Sequence, residues 1–155
     1  EINAIIGECI SDVRNMAKNF ITDQIEHFGL IDSLEREVKR INKLDFIKVN
    51  FFSNNHDIDI DSKHSLILFR ISQECINNSL KHSKAKKMDI LVDDNASFLE
   101  IKIFDNGVGF SEDVYRYGSG LKNMNNRAKL INAKFSILSE LNAGTQIIIK
   151  YPKKF

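Results

Sequence analysis

The segment Asp105-Asn106-Gly107-Val108-Gly109-Phe110, followed by Gly118-Ser119-Gly120-Leu121, constrains this 155-residue chain more than any other. Four of the seven glycines fall between positions 107 and 120, where the backbone must approach something that a side chain would block. The run Phe98-Leu99-Glu100-Ile101-Lys102-Ile103-Phe104 just before them reads as a strand and ends on the polar pair Asp105-Asn106. A strand that delivers a carboxylate and two glycines into a crevice, then a second glycine pair that opens a helix, can hold a nucleotide.

An apolar content of 43% over this length supports one good core, so the expectation is a single compact domain with an appended helix. Lys+Arg 22 against Asp+Glu 21 leaves a formal charge of +1, which gives no global case for a nucleic-acid partner or for direct membrane contact. The cluster Lys81, Lys84, Lys86 and Lys87 reads as a solvated face. Cys9 and Cys75 sit at positions of apolar periodicity without metal-like spacing, and are expected to be reduced core residues of a cytoplasmic protein. No apolar stretch approaches the ~20 residues of a membrane span. The chain opens on Glu1 inside a helical pattern, so it is expected to be a piece of a longer protein, one that can be anchored in the inner membrane.

Ile2, Ile6, Cys9, Val13, Met16 and Phe20 follow a 4, 3, 4, 3, 4 spacing, a heptad seam widened by Ile5, Ile10, Ala17 and Ile21. Such a helix either packs on its own domain or belongs to a dimeric bundle, and the spacing leaves both open. Gly29 punctuates the pattern, and apolar residues at 30, 34, 38, 41 and 44 predict a second helix. Strands are expected at 46–52, 88–92, 98–104, 135–138 and 146–151, with Pro152 following the last. Helices are expected over 63–82, capped by Asp61 or Ser62, and over 121–132. Strands in hairpins with helices between them predict an α+β, two-layer sandwich: a mixed, mostly antiparallel sheet with helices packed on one face, preceded by part of a bundle helix.

On the helix over 63–82, Arg70, Glu74, Asn78 and His82 stand at successive i, i+4 positions, a polar stripe along one face. It is either a solvated face or, given a carboxylate one turn from a carboxamide, a site for hydrated magnesium completed by water and phosphate oxygens.

Together these residues resemble the ATP-binding domain of sensor histidine kinases. Residues Gln73-Glu74-Cys75-Ile76-Asn77-Asn78-Ser79-Leu80-Lys81-His82-Ser83 resemble the N box, Asp105 to Phe110 the G1 box, and Gly118 to Met124 the G2 box. Gly144-Thr145 resembles the small final box, so the likeness covers roughly 45–152 in the family's order. It is similar in particular to the subfamily that pairs with helix-turn-helix response regulators. The resemblance implies ATP and Mg²⁺ as ligands, with Asn78 coordinating the metal and Glu74 orienting a metal-bound water or assisting proton removal. It implies that Asp105 accepts from the adenine amine, a contact guanine cannot make, and that Gly107 and Gly109 let the backbone pass the base and ribose. Gly118 and Gly120 would hinge a short lid whose following amides, from Leu121 on, face phosphate oxygens. Lys81, His82 and Lys122 would contact phosphates, and Thr145 would hydrogen-bond near the adenine.

The four histidines, at 27, 56, 64 and 82, lie outside any phosphoacceptor box. The expectation is therefore that residues 1–28 are the end of a dimerisation and phosphoacceptor bundle helix with its linker, that 29–155 are the catalytic domain, and that the acceptor histidine lies upstream. The implied partners are that bundle, a second copy of the parent, and a response regulator. An ATP-hydrolysing conformational switch of the same fold, or an interaction module that has lost nucleotide binding, are the alternatives.

Overall fold

The computed structural model describes residues 2–111 and 119–153. Its first helical element, α1 (Ile2–Asn42), bends at Gly29, where φ is 73° and ψ is −179°. That region is open to glycine almost alone, and a β-carbon there would meet nothing within 4 Å, so the torsion rather than crowding demands glycine. Ahead of the bend Ile6, Ile10, Val13, Met16 and Phe20 are exposed. Cys9 is exposed too, which corrects the expectation of a core thiol: among the described residues no element covers this stretch of helix. Further on, Ile25, Leu30, Ile31, Leu34, Val38 and Ile41 join the core. Leu44 lies past the helix end and is exposed.

Strand β1 (Lys48–Ser53) starts two residues later than expected, after a turn in which Asp45 takes φ 56°, and Phe46 stays in solvent. Its outer edge is occupied by a side chain. The Asn42 amide donates to the Val49 carbonyl (2.8 Å) and accepts from the Val49 amide (2.9 Å), filling the place of a neighbouring strand.

Helix α2 (Ser62–Asn78) begins at Asp61, whose carboxylate accepts from the amides of Lys63 and His64 at 2.9 and 3.3 Å. It stops short of the expected 82 and passes into one π-helical turn, Ser79–Ser83. The cause is local: the Ser83 hydroxyl donates to the Ser79 carbonyl (2.6 Å), taking the acceptor an α-helical amide would use, and Lys84 then closes the turn at φ 54°.

The remaining elements are β2 (Lys87–Asp94), β3 (Phe98–Asp105), α3 (Ser119–Leu130), β4 (Lys134–Glu140) and β5 (Gly144–Pro152). They form a five-stranded sheet of order β1-β2-β3-β5-β4. Only β1 and β2 run parallel, because α2 supplies the long crossover that a parallel pair needs. Pro152 is the last residue of β5, opposite Phe98, rather than the first beyond it. Alternate residues such as Met88, Ile90, Leu99, Ile101 and Ile149 are buried beneath the helices, while Leu91, Phe104 and Leu138 on the other face are exposed. The architecture is the two-layer α+β sandwich with helices on one face that the element order predicts.

Candidate functional site

The end of α2, the π-turn, the end of β3, the start of α3 and the β4–β5 hairpin converge on one cleft of about 420 Å³. At its floor lies Asp105, 3% exposed, the last residue of β3. One carboxylate oxygen accepts the Ser79 hydroxyl (2.6 Å) and the other the Gly107 amide (2.9 Å). A buried carboxylate needs such donors, and each oxygen keeps a further lone pair for the cleft. The loop after β3 is tied back to the π-turn by the Val108 amide, which donates to the Ser83 carbonyl (2.7 Å). With Ser83 bonded to Ser79, the contacts close a ring: Ser79, Asp105, Gly107-Val108, Ser83. Asn106 fastens the outside of this ring, its side-chain oxygen accepting from the amides of Lys86 (3.0 Å) and Lys87 (2.9 Å).

Across the sheet Asp105 pairs with Thr145, which is buried and whose hydroxyl lies 2.9 Å from that of Ser139. The Ser139 oxygen also accepts the Phe110 amide (3.0 Å), holding the far end of the glycine loop against the β4–β5 hairpin.

The glycines divide by what surrounds them. A β-carbon at Gly107 would overlap the Ser83 carbonyl, and one at Gly109 or Gly144 would overlap the carbonyls of Glu140 or Asp105. Gly107 is buried, and the Ser83 carbonyl and Asp105 carboxylate crowd it, so packing within the protein already requires glycine there. Gly109 does line the cleft. Gly120 differs: its β-carbon would sit in ordinary contact, 3.7 Å from Glu74 Oε1 and 3.9 Å from Asn78 Nδ2. Gly118 lies outside the described residues.

The predicted polar stripe thus faces the start of α3. Arg70, Glu74 and Asn78 are half-buried, and Asn78 and the exposed His82 line the cleft. Farther along the two helices, burial and the nearby Arg127 push the Arg70 guanidinium below its usual range. Glu74 stands beside Gly120, outside the cleft wall. Leu121, with Ser119 and Gly120, lines it at the head of α3. Lys81, in the π-turn, and Lys122, in the first turn of α3, are exposed and stand outside the cleft wall. Cys75 is fully buried, its thiol pushed up by burial, first, and by the charge of Glu74, and it packs against the Met124 sulfur at 3.4 Å.

Sequence reasoning missed two residues that organise the cleft. Ser79 and Ser139 carry no glycine or charge to mark them; the available signal was the Ser79/Ser83 pair at i, i+4 next to the resemblance's N-box asparagine.

Residues 63–154, more than half of the chain, match the family described as histidine kinase-, DNA gyrase B- and HSP90-like ATPase. The chain belongs to this family. Among curated proteins, the oxygen sensor histidine kinase NreB of Staphylococcus carnosus (strain TM300) is 29% identical over 153 residues, covering 97% of this chain and 44% of that protein. The sensor protein VraS of Staphylococcus saprophyticus subsp. saprophyticus is 46% identical over 86 residues, 55% of this chain and 25% of VraS. The chain therefore spans less than half the length of these relatives.

Solved structures share the ATPase family fold. The blue-light activated histidine kinase of Erythrobacter litoralis EL346 superposes with a TM-score of 0.71 at 20% identity, covering 94% of this chain and 49% of that one. The ATP binding domain of PrrB from Mycobacterium tuberculosis gives 0.67 at 21% identity, covering 81% and 94%.

Proposed function

We propose that this chain is the catalytic and ATP-binding domain of a two-component sensor histidine kinase, which delivers the γ-phosphoryl group of Mg-ATP to a histidine on a helical bundle of its parent. The observation that carries the proposal is Asp105: a buried carboxylate, held by Ser79 and Gly107, at the floor of a cleft large enough for a purine. Its free lone pairs accept from the adenine amine, and the carbonyl that guanine offers there is repelled. Thr145, Gly109 and Ile147 enclose the base, and the phosphates extend toward Asn78 and the head of α3, whose first amides have no partner within the helix.

Asn78 and Glu74, one carboxamide and one carboxylate meeting at Gly120, form a hard-oxygen donor set that fits magnesium holding most of its shell from water and phosphate. A magnesium ion held by these residues would supply charge neutralisation at the phosphates. Glu74 orients water or takes the acceptor's proton. His82 at the rim and the exposed Lys81 and Lys122 draw the polyphosphate in over a longer range.

The exposed seam from Ile6 to Phe20 supports residues 1–28 as the end of the bundle helix, paired with a second copy in the parent. The phosphoryl group then passes to a response regulator. Among the described residues no helix is long and apolar enough to cross a membrane, and we assign the domain to the cytoplasmic side of a parent that is anchored or free. The histidine kinase name of NreB favours transfer over hydrolysis.

Calorimetric titration with ADP and a non-hydrolysable ATP analogue, with and without Mg²⁺, tests the reading. Binding that falls at least tenfold in Asp105→Asn and loses its magnesium dependence in Asn78→Ala supports it. A folded wild-type chain that binds neither nucleotide refutes it.

A further inference from the structure

The ring around Asp105 contains a second group with a view of the base. We infer that Ser79 is a specificity-determining residue, reading the purine 6-position together with Asp105; the inference rests on the nucleotide reading above and deepens it. Ser79 is half-buried, lines the cleft, and is the first residue of the π-turn. A hydroxyl carries one proton and two lone pairs. The proton is committed at 2.6 Å to Asp105 Oδ2, a charge-assisted bond stronger than any a neutral ligand offers in exchange. What Ser79 shows the cleft is therefore acceptor only.

Beside it the carboxylate is also acceptor only, with one oxygen already bonded to the Ser79 hydroxyl and the other to the Gly107 amide. Two adjacent acceptors match an exocyclic amine, which has two hydrogens, and reject a carbonyl twice over. The π-turn fixes this arrangement: the Ser83 hydroxyl holds the Ser79 carbonyl at 2.6 Å, and the Val108 amide holds the Ser83 carbonyl at 2.7 Å. Ser79 cannot rotate its proton toward the base without leaving a buried oxygen of Asp105 short of a donor.

The probes are ADP and inosine diphosphate, which differ at position 6 by an amine against a carbonyl. Each is titrated calorimetrically into the wild-type chain, Ser79→Ala and Ser79→Thr, with thermal melts to show that the variants fold. The expected result is that Ser79→Ala lowers the ratio of ADP to inosine diphosphate affinity about fivefold, the scale of one neutral hydrogen bond, while Ser79→Thr keeps it. A purely structural role would weaken both nucleotides equally and leave the ratio unchanged, and that result overturns the inference. So does a Ser79→Thr variant that folds and discriminates no better than alanine. A wild-type chain that binds neither nucleotide overturns the nucleotide reading itself, whereas a wild type that prefers ADP beside an unchanged ratio in Ser79→Ala overturns only the role of Ser79.

Discussion

Replacing Gly107 with alanine isolates packing from backbone strain at the glycine loop. Gly109 and Gly144 hold positive φ, but Gly107 does not, so a methyl group there is opposed by its neighbours alone. The added carbon would overlap the Ser83 carbonyl and come to 2.5 Å from Ser83 Cβ and 2.8 Å from Asp105 Oδ1. Two of these contacts are backbone or a carboxylate fixed by Ser79, so relief requires the loop to move off the π-turn. That movement breaks two hydrogen bonds, Val108 to Ser83 (2.7 Å) and the buried Gly107 to Asp105 (2.9 Å). At about 1 kcal/mol each, with about 1–3 kcal/mol of residual crowding, the loss is roughly 4 kcal/mol. For a domain of this size each kcal/mol shifts the midpoint by about 2–4 °C, so Tm falls by about 8–16 °C. Thermal denaturation followed by far-ultraviolet circular dichroism measures it. Gly120→Ala is the control: its carbon has room, and Tm should stay within about 2 °C while nucleotide affinity falls because the phosphates lose their close approach. A Gly107→Ala chain that melts within about 2 °C of wild type would refute the argument that the ring holds the loop.

Asn42→Ala should uncover the Val49 amide and carbonyl on the edge of β1. The expected loss is about 1–2 kcal/mol in urea unfolding, with concentration-dependent association by light scattering; an unchanged midpoint and a monodisperse sample would contradict the edge-covering role. A thiol reagent at mildly alkaline pH should label one cysteine of the folded chain, the exposed Cys9, and both after denaturation. Because burial raises the Cys75 thiol, the folded chain keeps the proton that the unfolded chain releases above about pH 8.5. Its contribution is intact below that pH and declines as pH rises further, and Cys75→Ala should show a flatter alkaline stability curve by denaturant titration.

The glycine spacing, the i, i+4 polar stripe and the alternation of the strands were all readable without coordinates, because each is a repeat of backbone geometry written one residue at a time. The Asp61 cap and the bend at Gly29 were readable for the same reason. What stayed hidden was set by contacts between distant segments. Cys9 and Cys75 sit on similar apolar patterns, yet one is exposed and the other packs against Met124, because burial depends on which element arrives above the helix. Lys81 and Lys122 look alike as cations near glycine boxes, but the π-turn and the head of α3 turn both to solvent. Ser79 and Ser139 matter through partners 26 and 6 residues away, and serine carries no pattern of its own.

By itself, then, the sequence determined the two-layer α+β class, the order of its elements, and the chemistry offered by Glu74, Asn78, Asp105 and the glycines, since these follow from local periodicity and residue type. Only the tertiary structure decided that Asp105 is gripped by a serine from another element, that Gly107 serves the protein's own packing, and that Asn42 closes the sheet edge. The physical reason is that a hydrogen bond between residues far apart along the chain is selected by where the backbone brings them, to within a few tenths of an ångström. A pattern in sequence fixes which groups are available and on which face, and that last distance is fixed by packing alone.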